Sequence, residues 1–419
     1  MHAGRRISTW AVSSWAIAAG AGVALIGLVA LSPGAPVYDE AWFRGTLDLL
    51  KRHGLSVIFL REFPGAAGPS FTLVFAAIDR VAGLSFPWLR LINVGLLLAS
   101  IVLIWRILKT THGLPPASPG PALIAASLIA LPTVGVSAGM ALTEMPAAFF
   151  AVGAVFMLTL ARNPDAGPAS AWIAVLACGL STAAAVLGRQ NYLVMLPCLL
   201  LAFDWPPRRR DIVQIATIVA VVLAIAGPVF LLWGGLVPPR SATNADGLSL
   251  ANAIKSAGYA GLIALLLAPE IFSVLVRRKI LLAAAFVLSI PVAWVLGPGS
   301  IPMASLTRIF STEVASAIAT GFRFVLAFAA ICFIGCFALH IWRQRMNWLT
   351  RFAGSTALTG ILSNAKITHQ FSSRYVFVFL PFIVLAAAPA VRMTWHLPLR
   401  LVIGAGIGLR ALASYYSGQ

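Results

Sequence analysis

The chain has 419 residues, is 60% hydrophobic and only 10% charged, and has a mean hydropathy of +0.93. So little charge cannot cover a soluble fold of this size. The formal net charge is +18, but the basic residues are scattered between apolar runs and form no continuous stripe, which argues against a nucleic-acid partner.

Apolar runs of about 20 residues recur from end to end, so the expected fold is an all-α polytopic membrane protein. Each run should be a helix, because backbone polar groups in lipid must pair within their own segment. About 11–13 membrane-spanning helices are expected. The first run, about Trp10 to Leu31, is too long for a signal-peptide core and reads as an uncleaved span. Arg5 and Arg6 place its N-terminus in the cytoplasm. From there every even run ends on base: Arg106 and Lys109, Arg162, Arg208 to Arg210, Arg277 to Lys279, Arg343 and Arg345, and Arg392. Cytoplasmic loops are the place for such residues. The sixth run (about Tyr192–Phe203) is short, and the eleventh (about Trp348–Leu362) is the least apolar. Residues 1–419 read as one transmembrane domain with no soluble domain after the last run. Arg far outnumbers Lys and Ala is abundant, a composition of GC-rich bacterial genomes, so the expected location is a bacterial plasma membrane.

Four cysteines (Cys178, Cys198, Cys332, Cys336) all lie in apolar runs, so packing explains them better than disulfides or metal. The IGAGIG stretch at Ile403–Gly408 permits close helix packing, within the chain or between chains.

Residues 32–85 form the first external loop. Five of the twelve acidic residues in the chain fall there: Asp39, Glu40, Asp48, Glu62 and Asp79. A connection of that length should carry structure of its own. Asp39–His53 reads as an amphipathic helix between Pro36 and Gly54. Trp42, Phe43, Leu47, Leu49 and Leu50 supply its apolar side. Pro69–Ala82 reads as a second helix, with Gly65 and Gly68 marking the bend between the two.

Asp39 and Glu40 sit in the first turn of the first of these helices, where the helix dipole favours ionised carboxylates. A carboxylate facing a cavity can take a proton from an attacking hydroxyl. The plainer alternative is that one caps the helix and the other is solvated. The external basic residues bear on that choice. Arg189 ends the fifth run, Lys366 and His369 lie in SNAKITHQFSSR, Arg374 opens the twelfth run, and Arg308 and Arg323 flank the loop before the tenth. Such a set suits a phosphate, which Arg grips bidentately; each alone could instead reach lipid headgroups. Glu144, at the start of a span in ALTEMPAAFF, needs a partner or a task.

The order of one span, then YDEAWF, then an amphipathic loop helix, then a many-span bundle resembles the GT-C superfamily of polyprenyl-phosphate-sugar glycosyltransferases. YDEAWF resembles the first-loop DE motif of its protein mannosyltransferase and lipid A aminoarabinose transferase group. GPSFTLVFAAIDRVAG resembles that group's PPLYYLLLA-type segment, with Gly68–Pro69 where a Pro pair is more usual. ALTEMPAAFFAVGAVFMLTLAR resembles the span carrying TE or SE. GRQNYLVMLPCLLLA is similar to the Arg-Gln-Asn stretch of the glucosyltransferases that complete the dolichol-linked oligosaccharide, and SSRYVFVFLPF resembles a late RY-then-Pro segment.

This resemblance implies inverting transfer of a single sugar from a polyprenyl-phosphate donor to a hydroxyl of a glycan, lipid or protein acceptor on the outer face. Asp39 matches the catalytic aspartate, with Glu40 as runner-up. Arg189 and Arg374, with Lys366 or His369, would stabilise the leaving lipid phosphate. Glu144, Gln190 and Asn191 are expected to position substrate. No metal or other cofactor is expected; Asp39, Glu40 and Glu144 make the weaker, divalent-metal alternative. A transporter or flippase of lipid-linked sugars would also show external basic residues, but internal repeats are expected there. A non-catalytic relative is the remaining alternative.

Overall fold

The computed structural model describes residues 9–83, 85–111, 114, 118–244, 247–297, 310–368 and 371–418. These residues form helices and turns, and no strand occurs among them. The expected all-α class is what is found. Among the described residues, eight helices are long and apolar enough to cross a membrane: Thr9–Ala30, Trp88–Thr111, Glu144–Ala161, Pro168–Gly188, Arg209–Trp233, Leu250–Leu267, Thr312–Arg343 and His396–Ser417. The chain is a multi-pass membrane protein.

Five other segments occupy the remaining places in the expected order: Pro121–Ala130, Gln190–Ala202, Lys279–Val295, Trp348–Ser363 and Leu380–Ala390. Several are broken by proline or by 3-10 turns. Irregular backbone at membrane depth is tolerated where protein surrounds it. Leu380–Ala387 meets that condition, since all eight of its residues are buried. The third run departs most from expectation. It is split into Pro121–Ala126, a 3-10 turn, and Val134–Gly139, because Leu131–Pro132 interrupts the hydrogen-bond ladder.

We label helices in chain order: α1 (Thr9–Ala30), α2 (Glu40–His53), α3 (Val57–Glu62), α4 (Ser70–Ala82), α5 (Trp88–Thr111), α6 (Pro121–Ala126), α7 (Val134–Gly139), α8 (Glu144–Ala161) and α9 (Pro168–Gly188). The first loop folds as α2, α3 and α4. The sequence anticipates α2 and α4 to within one residue at their starts, but not the short α3. Gly54 ends α2 at a φ of 60°, a left-handed conformation that favours glycine. The buried side of α2 is Glu40, Phe43, Thr46, Leu47 and Leu49, while Trp42 is exposed. The helix thus turns a carboxylate inward and an indole outward, against the expected amphipathic assignment. It packs on α4, where Phe43 meets Phe71 and Thr46 shares a hydrogen bond of 2.7 Å with Thr72.

The two ends of the bundle sort the charged residues as the sequence does. At one end Arg351 donates to the carbonyls of Leu201, Phe203 and Arg345, and pairs with Asp204 at 3.2 Å. Beside it the Arg162 guanidinium lies over the rings of Phe203 and Trp348. Asp39, Glu144, Arg189, Lys366 and Arg374 gather at the other end. Gly404 and Gly408 in the IGAGIG stretch pack on Ala130 and Pro132 within this chain. The four cysteines are buried and free.

The first loop docks on the bundle where Gly68 meets the carbonyl of Leu187 at the end of α9. A Cβ on Gly68 would lie 2.1 Å from that oxygen. Neither backbone can yield without moving a helix end. Gly68→Ala should therefore destabilise the detergent-solubilised protein by about 1–3 kcal/mol. Gly95→Ala, with open space around its Cβ, should leave the thermal unfolding midpoint unchanged in the same assay.

Candidate active site

Two adjacent carboxylates open α2, and the structure gives them opposite surroundings. Glu40 faces inward and is fully buried. Its Oε1 accepts from Arg90 Nε at 2.9 Å and from the Ala141 amide at 2.8 Å. Its Oε2 accepts from Arg90 Nη2 at 2.6 Å and from the Val37 amide at 2.8 Å. Arg90, in the first turn of α5, is also fully buried. Its remaining donors reach Ser32 Oγ (2.7 Å), the Pro33 carbonyl (2.6 Å) and the Ala35 carbonyl (2.8 Å). All five guanidinium N–H groups therefore have acceptors. The pair fastens the segment 32–40 to α5 and to the backbone at residue 141.

Glu40 is thus not brought to a cavity. The sequence reading takes Asp39 as the base with Glu40 as runner-up, and the burial of Glu40 against Arg90 keeps the runner-up off the cavity wall. Arg90 is the residue that reading overlooks. The available signal is a lone Arg in the first turn of an apolar run, WLRLINVGLL, which calls for a buried acid as partner.

Asp39 occupies the N-cap position of α2 but makes no capping hydrogen bond. Tyr38 before it has a φ of 54°, a left-handed backbone that a non-glycine residue adopts at some cost. That turn aims the Asp39 carboxylate away from the helix end. Its Oδ2 accepts from Arg374 Nη2 at 2.5 Å, and its side chain is 35% exposed.

Arg374 meets a second acid. Glu144, the first residue of α8, is fully buried behind it, with Oε1 at 3.4 Å from Arg374 Nε. The same oxygen accepts from Arg189 Nη2. Glu144 Oε2 is buried and has no hydrogen-bond partner among the described residues. The order across the site is therefore Asp39, Arg374, Glu144, Arg189, with alternating sign. Tyr375 stacks beside both arginines, its ring centre 5.7 Å from the Arg374 guanidinium and 6.0 Å from that of Arg189. Arg374 lies just before the apolar part of its segment. Burial works to lower its pKa, but the carboxylates of Glu144 and Asp39 outweigh burial and raise it, so it stays charged.

Asp39, Arg374, Arg189 and Tyr375 line a cavity of about 890 Å³ together with Gln190, Asn191, Lys366 and Asn364, and with the apolar walls of Trp42, Trp233 and Leu236. Asp39, Arg189, Gln190, Asn191, Lys366 and Arg374, expected at the site from sequence, are thus brought together. Glu144 stands behind the wall. His369 and Arg308 lie outside the described residues. Arg323 bonds Thr320 on its own helix. The set Asp39, Glu40 and Glu144 does not assemble as a metal site. Glu40 and Glu144 are each engaged by arginine, and no group of three His, Cys, Asp or Glu suited to a metal occurs among the described residues.

No family model matches the chain, and no curated protein matches it. Among solved structures, it is similar to ArnT from Cupriavidus metallidurans in the apo state, with 15% identity and a TM-score of 0.46, covering 98% of this chain and 77% of that one. It is also similar to the same protein bound to undecaprenyl phosphate, with 14% identity and a TM-score of 0.42 over 99% and 78% of the two chains. A third similar structure is the Archaeoglobus fulgidus oligosaccharyltransferase in complex with Zn and sulfate. There the identity is 16% and the TM-score 0.45, over 96% of this chain and 52% of that one.

Removing either partner of the Glu40–Arg90 pair leaves a buried charge uncompensated, which costs about 3–5 kcal/mol. Arg90→Ala should therefore lower the unfolding midpoint sharply and open the segment 32–40 to limited proteolysis. Lys366→Ala, at an exposed position, should change neither.

Proposed function

We propose that this protein is a membrane glycosyltransferase that moves one sugar from a polyprenyl-phosphate donor to an acceptor hydroxyl, with inversion, and that Asp39 is the general base. The observation that carries the reading is the Asp39 carboxylate, which makes no helix cap and opens on a large cavity beside Arg374 that Arg189 also lines. Donor phosphate takes the arginine side. Arg189 and Arg374 are pre-positioned by Glu144, so little reorganisation is needed when charge develops on the leaving oxygen.

In the reaction the acceptor oxygen attacks the anomeric carbon from the face opposite the phosphate. Asp39 receives the hydroxyl proton as the new C–O bond forms. The bond from the anomeric carbon to the phosphate oxygen breaks, and the lipid phosphate leaves with the electron pair. Arg374 is shared between Asp39 and the phosphate. An incoming donor phosphate competes for its guanidinium and frees Asp39 to accept a proton, so the base is released only when donor is present. The site lies at the bundle end that the charge pattern assigns to the outer face, in a bacterial plasma membrane with the N-terminus cytoplasmic. Apolar walls at Trp233 and Leu236 suit the first isoprene units of a lipid carrier.

Asp39→Asn should reduce transfer from polyprenyl-phosphate sugars by about 10²–10⁴-fold, with donor binding retained and the gel-filtration profile unchanged. Full activity in that variant would remove Asp39 as the base. Because Glu40 and Glu144 are already engaged by arginine, chelation with EDTA should leave turnover unchanged. Loss of turnover restored by a divalent cation would reverse that expectation.

A further inference from the structure

The floor of the cavity carries two side-chain amides whose orientation the surrounding hydrogen bonds determine. Asn191 Nδ2 lies 3.2 Å from Ser363 Oγ and 2.9 Å from Asn364 Oδ1. The single Ser363 hydroxyl proton goes to the Gly360 carbonyl at 2.7 Å. Toward Asn191 that oxygen can only accept, so Asn191 must present its NH₂ there. Asn364 is buried and braced in turn, its Nδ2 donating to Ser256 Oγ at 3.0 Å. Asn191 Oδ1 is left on the cavity side with no donor from the described protein. Gln190 repeats the pattern. Its Nε2 donates to the Ala66 carbonyl at 2.9 Å, an atom that can only accept, and its Oε1 is left over. Two neutral acceptors thus follow Arg189 directly, on the 3-10 turn Gln190–Val194.

Among the described residues, the charged lining of the cavity is three cations, Arg189, Lys366 and Arg374, against one carboxylate, Asp39, which Arg374 already holds. An ammonium group entering here would meet Arg189 and Lys366, and among the described lining residues its one anionic partner would be Asp39, the base itself. Hydroxyl groups would meet two oriented acceptors that the described protein leaves unused.

Resting on the glycosyltransferase reading above, we propose that Asn191 and Gln190 are specificity-determining residues that accept hydrogen bonds from hydroxyls of the donor sugar. The donor is then a neutral polyhydroxy sugar and not one carrying an ammonium group. One short turn divides recognition between Arg189 for the phosphate and the next two residues for the sugar.

The test uses the full chain in nanodiscs and measures the binding of polyprenyl phosphate alone, of its glucosyl, mannosyl and galactosyl forms, and of its 4-amino-4-deoxyarabinosyl form. At least one neutral hexosyl form should bind about tenfold tighter than the bare lipid phosphate, and the aminosugar form should show no such gain. Asn191→Ala and Gln190→Ala should each erase much of the gain while leaving bare lipid phosphate binding within about twofold. Arg189→Ala should weaken all the probes. Gln190→Glu should shift preference toward the aminosugar form. The proposal is overturned if the aminosugar form binds as tightly as the best neutral form, if no neutral form exceeds the bare lipid, or if the alanine variants weaken bare lipid phosphate equally. Those results leave the glycosyltransferase reading standing. Failure of the wild type to bind any lipid phosphate would instead remove both.

Discussion

A fully buried ion pair, Glu40 with Arg90, holds the first loop against the membrane bundle. Both oxygens of the acid and all five donors of the base are used, and most of their partners are backbone groups of residues 33–37 and 141. A buried pair gains little net stability over apolar packing, but its geometry is strict, because any misplacement leaves a charge unpaired. Here that strictness sets the path of residues 32–40. It thereby sets where the chain must turn at Tyr38 and where the next carboxylate, Asp39, emerges.

The same logic recurs one layer outward. Glu144 is buried at the start of α8, and its charge is balanced by Arg189 from the end of α9 and Arg374 from a distant part of the chain. Asp39 adds a fourth charge, and the row alternates in sign. Such a row is nearly neutral, yet it places two arginines on the cavity wall. On the function proposed above, a phosphate replaces Asp39 on Arg374 without desolvating a new cation. On that function, the residues that balance charge within the fold are also those that take the anion.

Much of this was legible from the residues in order. Hydropathy marks the long apolar helices, since each must close its own backbone hydrogen bonds in lipid. Pro36, Gly54, Gly65 and Gly68 bracket the loop helices, because these residue types have strong local conformational preferences. The run Arg189–Gln190–Asn191 stands out as a polar stretch at a span end, and it does line the cavity. The broken third run was less legible. Its course depends on how α7 packs on the C-terminal helix, where Gly135 meets Gly408.

Sequence by itself determined that the chain is a helical membrane bundle, where its spans lie, and that acid is concentrated in one loop. These are local properties, set by hydrophobicity and backbone chemistry over stretches of about 20 residues. Only the tertiary structure decided which acid does what. Asp39 and Glu40 are neighbours in the chain, but successive residues on a helix point about 100° apart, so one meets the core and the other the cavity. Which one turns inward depends on Arg90, 50 residues further along. The partner of Asp39 lies 335 residues away. No periodicity within a span encodes such distances; they exist only once the helices have packed.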